Sequence, residues 1–175
     1  MTLSDPGAPR TPSPIARLNE YGQSPWYDNI RRSLLESGEL TRMITDDGIR
    51  GVTSNPTIFE KAISGGHEYD EQIRGLAGSG VAAAYKAIVV DDIRAGADAL
   101  RPAYEAAAGG DGYVSLEVDP DLAADTAGTV ARAEELFRAV GRPNVLIKIP
   151  ATPEGLPAIE ETIARGIPVN VTLIF

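Results

Sequence analysis

The chain has 175 residues, with 25 Asp and Glu against 16 Lys and Arg and a formal net charge of −9, enough material for one hydrophobic core. That acidity excludes the electrostatic footprint of a nucleic-acid binder and of a polybasic membrane patch, leaving small molecules or other proteins as partners. With no Cys, disulfides, thiolate metal sites and thiol nucleophiles are excluded together, and a zinc site or a Ser-His-Asp triad would rest on His67 alone.

His67 sits among Gly65, Gly66 and Glu68 in a loop-like stretch and reads as a surface histidine. The lack of Cys fits a reducing cytoplasm. The opening Met1 to Pro6 carries no basic region or apolar stretch, and nowhere do about 18 apolar residues run together. Secretion and membrane spanning are therefore not expected.

Residues 1 to about 15, rich in Pro, Ser and Thr, read as a flexible arm, with one domain over 16–175. A short stretch ending in Trp26-Tyr27-Asp28 leads to Ile30, Leu34, Leu35, Leu40 and Met43, spaced for one face of a helix. Gly48 breaks that pattern, and Ile49 to Asn55 follows as a strand closed by Pro56. From Pro56 to Gly110 the pattern is helical, with Gly75 to Gly80 as a helix-to-helix turn. Its glycines resemble a phosphate loop in composition only, since a helical stretch precedes them. Tyr113 to Val118 predicts a strand, Asp125 to Val140 a helix stopped by Gly141, and Val145 to Ile149 the next strand. A helix around Ile159 and Ile163 ends at Gly166, with Pro153 and Pro157 in or before its first turn, and Val169 to Ile174 predicts the fifth strand. Strands alternating with helices imply a mainly parallel α/β sheet. The doublets Asp46-Asp47 and Asp91-Asp92 read as caps or solvated faces, and no metal site is expected.

Side chains alternate between the faces of a strand. In Val145 to Ile149, Lys148 opposes Val145, Ile147 and Ile149. Ser115 and Glu117 oppose Val114, Leu116 and Val118, Asn170 and Thr172 oppose Val169, Val171 and Leu173, and Val52 opposes Thr53 and Asn55. A doubly covered parallel sheet is apolar on both faces. Polar residues collecting on one face predict a (β/α)₈ barrel, with the polar set converging inside near the strand ends. Lys148 is flanked by Ile147 and Ile149. A desolvated lysine that frees its lone pair for attack on a carbonyl is the usual imine-forming nucleophile. Glu117 could equally be its salt-bridge partner.

Two segments carry a resemblance. Gly51-Val52-Thr53-Ser54-Asn55-Pro56-Thr57-Ile58-Phe59 resembles the first transaldolase signature, and Leu146-Ile147-Lys148-Ile149-Pro150-Ala151-Thr152-Pro153-Glu154-Gly155 is similar to the family's active-site segment, whose lysine forms a Schiff base. Trp26 to Asp28, Ser115 to Asp119 and Asn170 to Leu173 extend the match from about residue 20 to the last. The resemblance implies a (β/α)₈ barrel that moves a dihydroxyacetone unit from a ketose phosphate to an aldose phosphate in the pentose phosphate pathway, without a cofactor. It implies Lys148 as nucleophile and Asp28 as general acid/base at the C4 hydroxyl. Glu117 would shuttle protons through a water held with Thr172, and Asn55 and Asn170 would bind substrate hydroxyls.

Such a barrel runs to about 250 residues, and only five strands are legible. The chain is therefore expected to be an incomplete barrel, a truncated product or part of a longer enzyme. On its own it would have little activity, its phosphate-binding residues lying beyond residue 175. The apolar fifth strand presents an edge for a second copy. The alternatives are a fructose-6-phosphate aldolase, which releases dihydroxyacetone rather than transferring it, and an inactive oligomerising fragment.

Overall fold

The computed structural model describes residues 13–174. Most of the expected arm, residues 1–12, lies outside the described residues. Ser13 lies at the start of a 3-10 helix, Ala16–Tyr21, which the sequence reading did not anticipate: its hydroxyl accepts the Ala16 amide at 3.2 Å and its carbonyl that of Arg17 at 3.2 Å.

The elements then follow as β1 (Trp26–Tyr27), α1 (Arg32–Glu36), α2 (Glu39–Asp46), β2 (Gly51–Thr53), α3 (Pro56–Gly65), α4 (Asp70–Gly75), α5 (Val81–Ala106), β3 (Tyr113–Glu117), a 3-10 turn (Pro120–Leu122), α6 (Thr126–Val140), β4 (Val145–Pro150), α7 (Gly155–Ala164) and β5 (Val169–Thr172). Three expectations change, the first being that the strand expected over Ile49 to Asn55 spans only Gly51–Thr53. The single helix over Ile30 to Met43 is two, because Gly38 takes a left-handed φ of 75° between them, a conformation that ends helices. The fifth strand stops at Thr172, where Leu173 turns to φ 58°, outside the extended region.

All five strands are parallel and lie in sequential order β1-β2-β3-β4-β5. Right-handed crossovers that always step the same way leave their helices on one face. That is the winding of a barrel wall, and the five-stranded sheet is consistent with an incomplete (β/α) barrel. On the helix side, Val52, Val114, Leu116, Val118, Val145, Ile147 and Ile149 are buried and share one core with Ile93, Ala97 and Leu100 of α5 and Ala133, Leu136 and Val140 of α6. Each large aliphatic side chain so buried contributes roughly 1.5–3 kcal/mol. Asn144, fully buried before β4, donates its amide to the carbonyls of Ala97 at 2.7 Å and Gly112 at 3.0 Å. One side chain thereby ties α5 to the entry of β3.

At the amino end of the sheet, Trp26 lies flat against Gly51, its register partner. A Cβ at residue 51 would stand 2.2 Å from the indole, so only glycine admits this contact.

Asp92 departs from the expected cap or solvated face. It is buried at 2% exposure on α5, held by Arg32 at 2.7 Å and by the Tyr69 hydroxyl at 2.7 Å. Asp91 beside it is exposed. The two aspartates are 100° apart on the helix, and only one can face the core.

Candidate active site

The uncovered face of the sheet carries the polar residues in ordered rows. Glu117 of β3 is the register partner of Lys148 of β4, and Lys148 is the partner of Asn170 of β5. Three of the expected side chains thus stand in one line across three strands. Thr53, Ser115 and Leu146 form the row below. Thr172, opposite Pro150, lies one row above.

Within the row, the Lys148 Nζ lies 3.3 Å from Glu117 Oε2 and donates to the Ser54 carbonyl at 3.3 Å. The two side chains are 12% and 18% exposed. The lysine is therefore largely withdrawn from water yet charge-paired, and the carboxylate is placed to receive a proton that leaves it. Asn170 donates from Nδ2 to Ser115 Oγ at 2.6 Å, with Ser115 itself fully buried.

Asn55 follows β2 and caps α3: its Oδ1 accepts the Ile58 amide at 2.9 Å. An Asn in this role satisfies a helix amide that would otherwise lack a partner. The oxygen is thus committed to the cap, and the amide nitrogen is the part suited to meet a substrate hydroxyl. Asp28, just past β1, is exposed. It shares an open cleft of about 430 Å³ with Asn55, Thr57, Lys61, Glu117 and Pro120. Lys148 does not line that cleft and adjoins it through Glu117.

The expected residues are thus brought together in two groups joined at Glu117. Lys148, Glu117 and Asn170 form the row, and Asp28, Asn55 and Glu117 surround the cleft. Thr172 is on the same face, one row further on, and its carbonyl accepts the Ala151 amide at 2.8 Å. Its hydroxyl is not placed against Glu117 by any contact.

Two residues at the site, Ser54 and Lys61, carry no expectation from sequence, and a third, Ser115, is expected only on the polar face of its strand. Ser54 and Ser115 are both fully buried, and Ser54 Oγ donates to the Ser115 carbonyl at 2.8 Å. A signal for Ser54 exists: it falls at the parity of Val52, where an apolar side chain is the rule. Lys61, on α3 and exposed, lines the cleft without any signal in its neighbours.

The loop that follows the lysine strand is also fixed. Thr152 Oγ1 donates to the Ala123 carbonyl at 2.6 Å and accepts the Gly155 amide at 2.9 Å, while Thr126 Oγ1 donates to the Glu154 carbonyl at 2.7 Å. A Cβ on Gly155 would meet the Pro150 carbonyl oxygen at 2.0 Å, which accounts for the glycine. Among the described residues, no helix is long and apolar enough to cross a membrane.

A singly wound parallel sheet with its helices on one face, and a lysine and a carboxylate paired on the open face, defines a barrel-type α/β protein. A family model for transaldolase/fructose-6-phosphate aldolase matches residues 25–175. The chain is 54% identical over 164 residues to a transaldolase of Parafrankia sp., a match covering 93% of this chain and 44% of that protein. It is 55% identical over 165 residues to a transaldolase of Thermobifida fusca, covering 93% and 45%, and 48% identical over 163 residues to transaldolase 2 of Nostoc punctiforme, covering 92% and 43%. The chain spans less than half the length of these curated relatives. It belongs to the transaldolase/fructose-6-phosphate aldolase family.

Proposed function

We propose that this chain carries the Schiff-base part of a transaldolase site, acting on ketose and aldose phosphates in the pentose phosphate pathway. The observation that supports this best is the row Glu117–Lys148–Asn170, in register on the open face with its lysine and carboxylate 3.3 Å apart. Lys148, relieved of a proton, adds to the ketose C2 carbonyl. Glu117 receives that proton and returns it to the carbinolamine oxygen, which leaves as water to give the iminium. Asp28 takes the C4 hydroxyl proton, the C3–C4 bond breaks, and its electrons pass into the iminium as an enamine. The aldose leaves, and the enamine attacks the acceptor aldehyde, which Asp28 reprotonates. Hydrolysis of the imine frees Lys148.

Asn55 and Asn170 bind substrate hydroxyls in this scheme, and Thr172 helps hold the water through which Glu117 works. The chemistry needs no cofactor. Transfer is preferred over release because the relatives compared above are named transaldolases. Product analysis with and without an aldose acceptor separates the two. The absence of Cys accords with a cytoplasmic setting. Leu173 and Ile174 are exposed beside β5, and we place self-association of the chain at this edge, to be read by sedimentation.

The test is intact-mass analysis after incubation with fructose 6-phosphate and borohydride. A substrate-sized gain, lost in Lys148→Ala, is expected. An equal gain in Lys148→Ala would refute the assignment.

A further inference from the structure

We propose that Ser54 is a positioning residue for Lys148, acting through its own backbone carbonyl; this rests on the imine-forming role assigned to Lys148 above. The β2–β3 ladder ends at the pair Thr53 and Ser115. One residue further on, Ser54 Oγ donates to the Ser115 carbonyl at 2.8 Å, so a side-chain hydroxyl continues the pairing where the backbone no longer does. Both serines are fully buried, and a buried carbonyl that lost this donor would have no water to replace it.

The consequence falls on the lysine. Held against β3, Ser54 turns its carbonyl to the open face, where it accepts Lys148 Nζ at 3.3 Å, on the far side of β3 from the lysine's own strand. Lys148 is thereby fixed between two acceptors, Ser54 just past β2 and Glu117 on β3. A flexible four-carbon stem held at two points has its nitrogen in one place, which is what attack on a bound carbonyl requires. The next residue, Asn55, caps α3 and lines the cleft, so the same hydroxyl also steadies the turn that presents Asn55.

The chain has three lysines, Lys61, Lys86 and Lys148, which makes the test site-resolved. Each is labelled with fluorodinitrobenzene at fixed pH in the wild-type chain, Ser54→Ala and Ser54→Thr, and quantified by peptide mapping. Imine trapping with fructose 6-phosphate and borohydride is followed in parallel. Ser54→Ala is expected to label Lys148 about tenfold faster relative to Lys61, because the carbonyl that accepts its ammonium is no longer held in place, and to trap the sugar about tenfold more slowly. Ser54→Thr, which keeps the hydroxyl, is expected to return both toward wild type.

An unchanged Lys148 to Lys61 ratio in folded Ser54→Ala would overturn the proposal. So would equal acceleration at Lys86, whose ion pair with Glu135 reports the general integrity of the fold. Should Ser54→Ala fail to fold, Ser54→Cys, with a weaker donor of similar size, takes its place under the same criteria. Labelling involves no sugar. A wild-type chain that gives no adduct would count against the proposed function, while the labelling ratio would still decide the role of Ser54.

Discussion

Glu117 and Lys148 are direct cross-strand neighbours on the open face of the sheet, with Oε2 and Nζ 3.3 Å apart and both side chains less than one-fifth exposed. A carboxylate so placed has two effects on the lysine. It holds the ammonium in position, and in the proposed chemistry it offers the acceptor through which the proton leaves before attack on a carbonyl.

Glu117→Gln keeps the shape and removes the basic carboxylate. General acid–base assistance is typically worth 10²–10⁴-fold, so the rate of trapped-imine formation is expected to fall by about a hundredfold. The amide still faces Lys148, so the far-ultraviolet spectrum should not change. A trapping rate within about twofold of wild type would remove Glu117 from proton transfer.

Asp28 stands apart from that pair, exposed beyond β1 and joined to it by the cleft that Asn55 and Glu117 also line. This separation predicts separable chemistry. Asp28→Ala is expected to retain the borohydride-trapped adduct at Lys148 while aldose release falls by about 10²-fold or more. Mass analysis reads the first and a coupled assay of the released aldehyde the second. Loss of both together would make Asp28 a structural residue.

Gly51 predicts a packing effect remote from the chemistry. A Cβ there would lie 2.2 Å from the Trp26 ring, which cannot move aside as a flexible chain would. Gly51→Ala should lower stability in urea by about 1–3 kcal/mol. Trp26 is the only tryptophan, so its emission reports the displaced ring directly. In a Trp26→Ala background the effect should largely vanish, since contacting residues couple. A full additive loss in the double variant would place the strain elsewhere.

The strand parities were legible because a period of two needs only the strand itself, and Glu117, Lys148 and Asn170 could each be assigned a face. Their alignment in one row was not. It depends on the register of β3 against β4 and of β4 against β5, which is set by how α6 and α7 cross over and by anchors such as Asn144. Ser54 was passed over because its partner is a backbone carbonyl 61 positions away. The Asp92 ion pair is hidden for a similar reason: Arg32 lies 60 residues from it in sequence. The split between α1 and α2 was in principle readable, since Gly38 stands between the apolar positions Leu35 and Leu40.

Tyr69 gives a prediction with a sign. Its hydroxyl donates to Asp92 Oδ2 at 2.7 Å and accepts the Arg32 amide at 3.0 Å, and the Arg32 guanidinium lies 4.7 Å from its ring centre. Burial, followed by the neighbouring Asp92 carboxylate, pushes the phenol above its ordinary range, so it stays a donor at every pH of interest. Burial also raises Asp92 above the ordinary 3.8, outweighing the Tyr69 and Arg32 hydrogen bonds that favour the carboxylate. A group raised in the folded state contributes stability that is complete below its unfolded value and lost as pH rises through the folded one. Tyr69→Phe removes a donor to the carboxylate, which raises Asp92 further and enlarges that loss. The variant should therefore be less stable than wild type by about 1–3 kcal/mol at pH 7, with the gap narrowing as Asp92 is protonated toward pH 3.8. Urea unfolding of both chains across that range measures the gap. A gap independent of pH would mean that the hydroxyl acts through packing and the Arg32 amide alone, and that Asp92 keeps its charge without it.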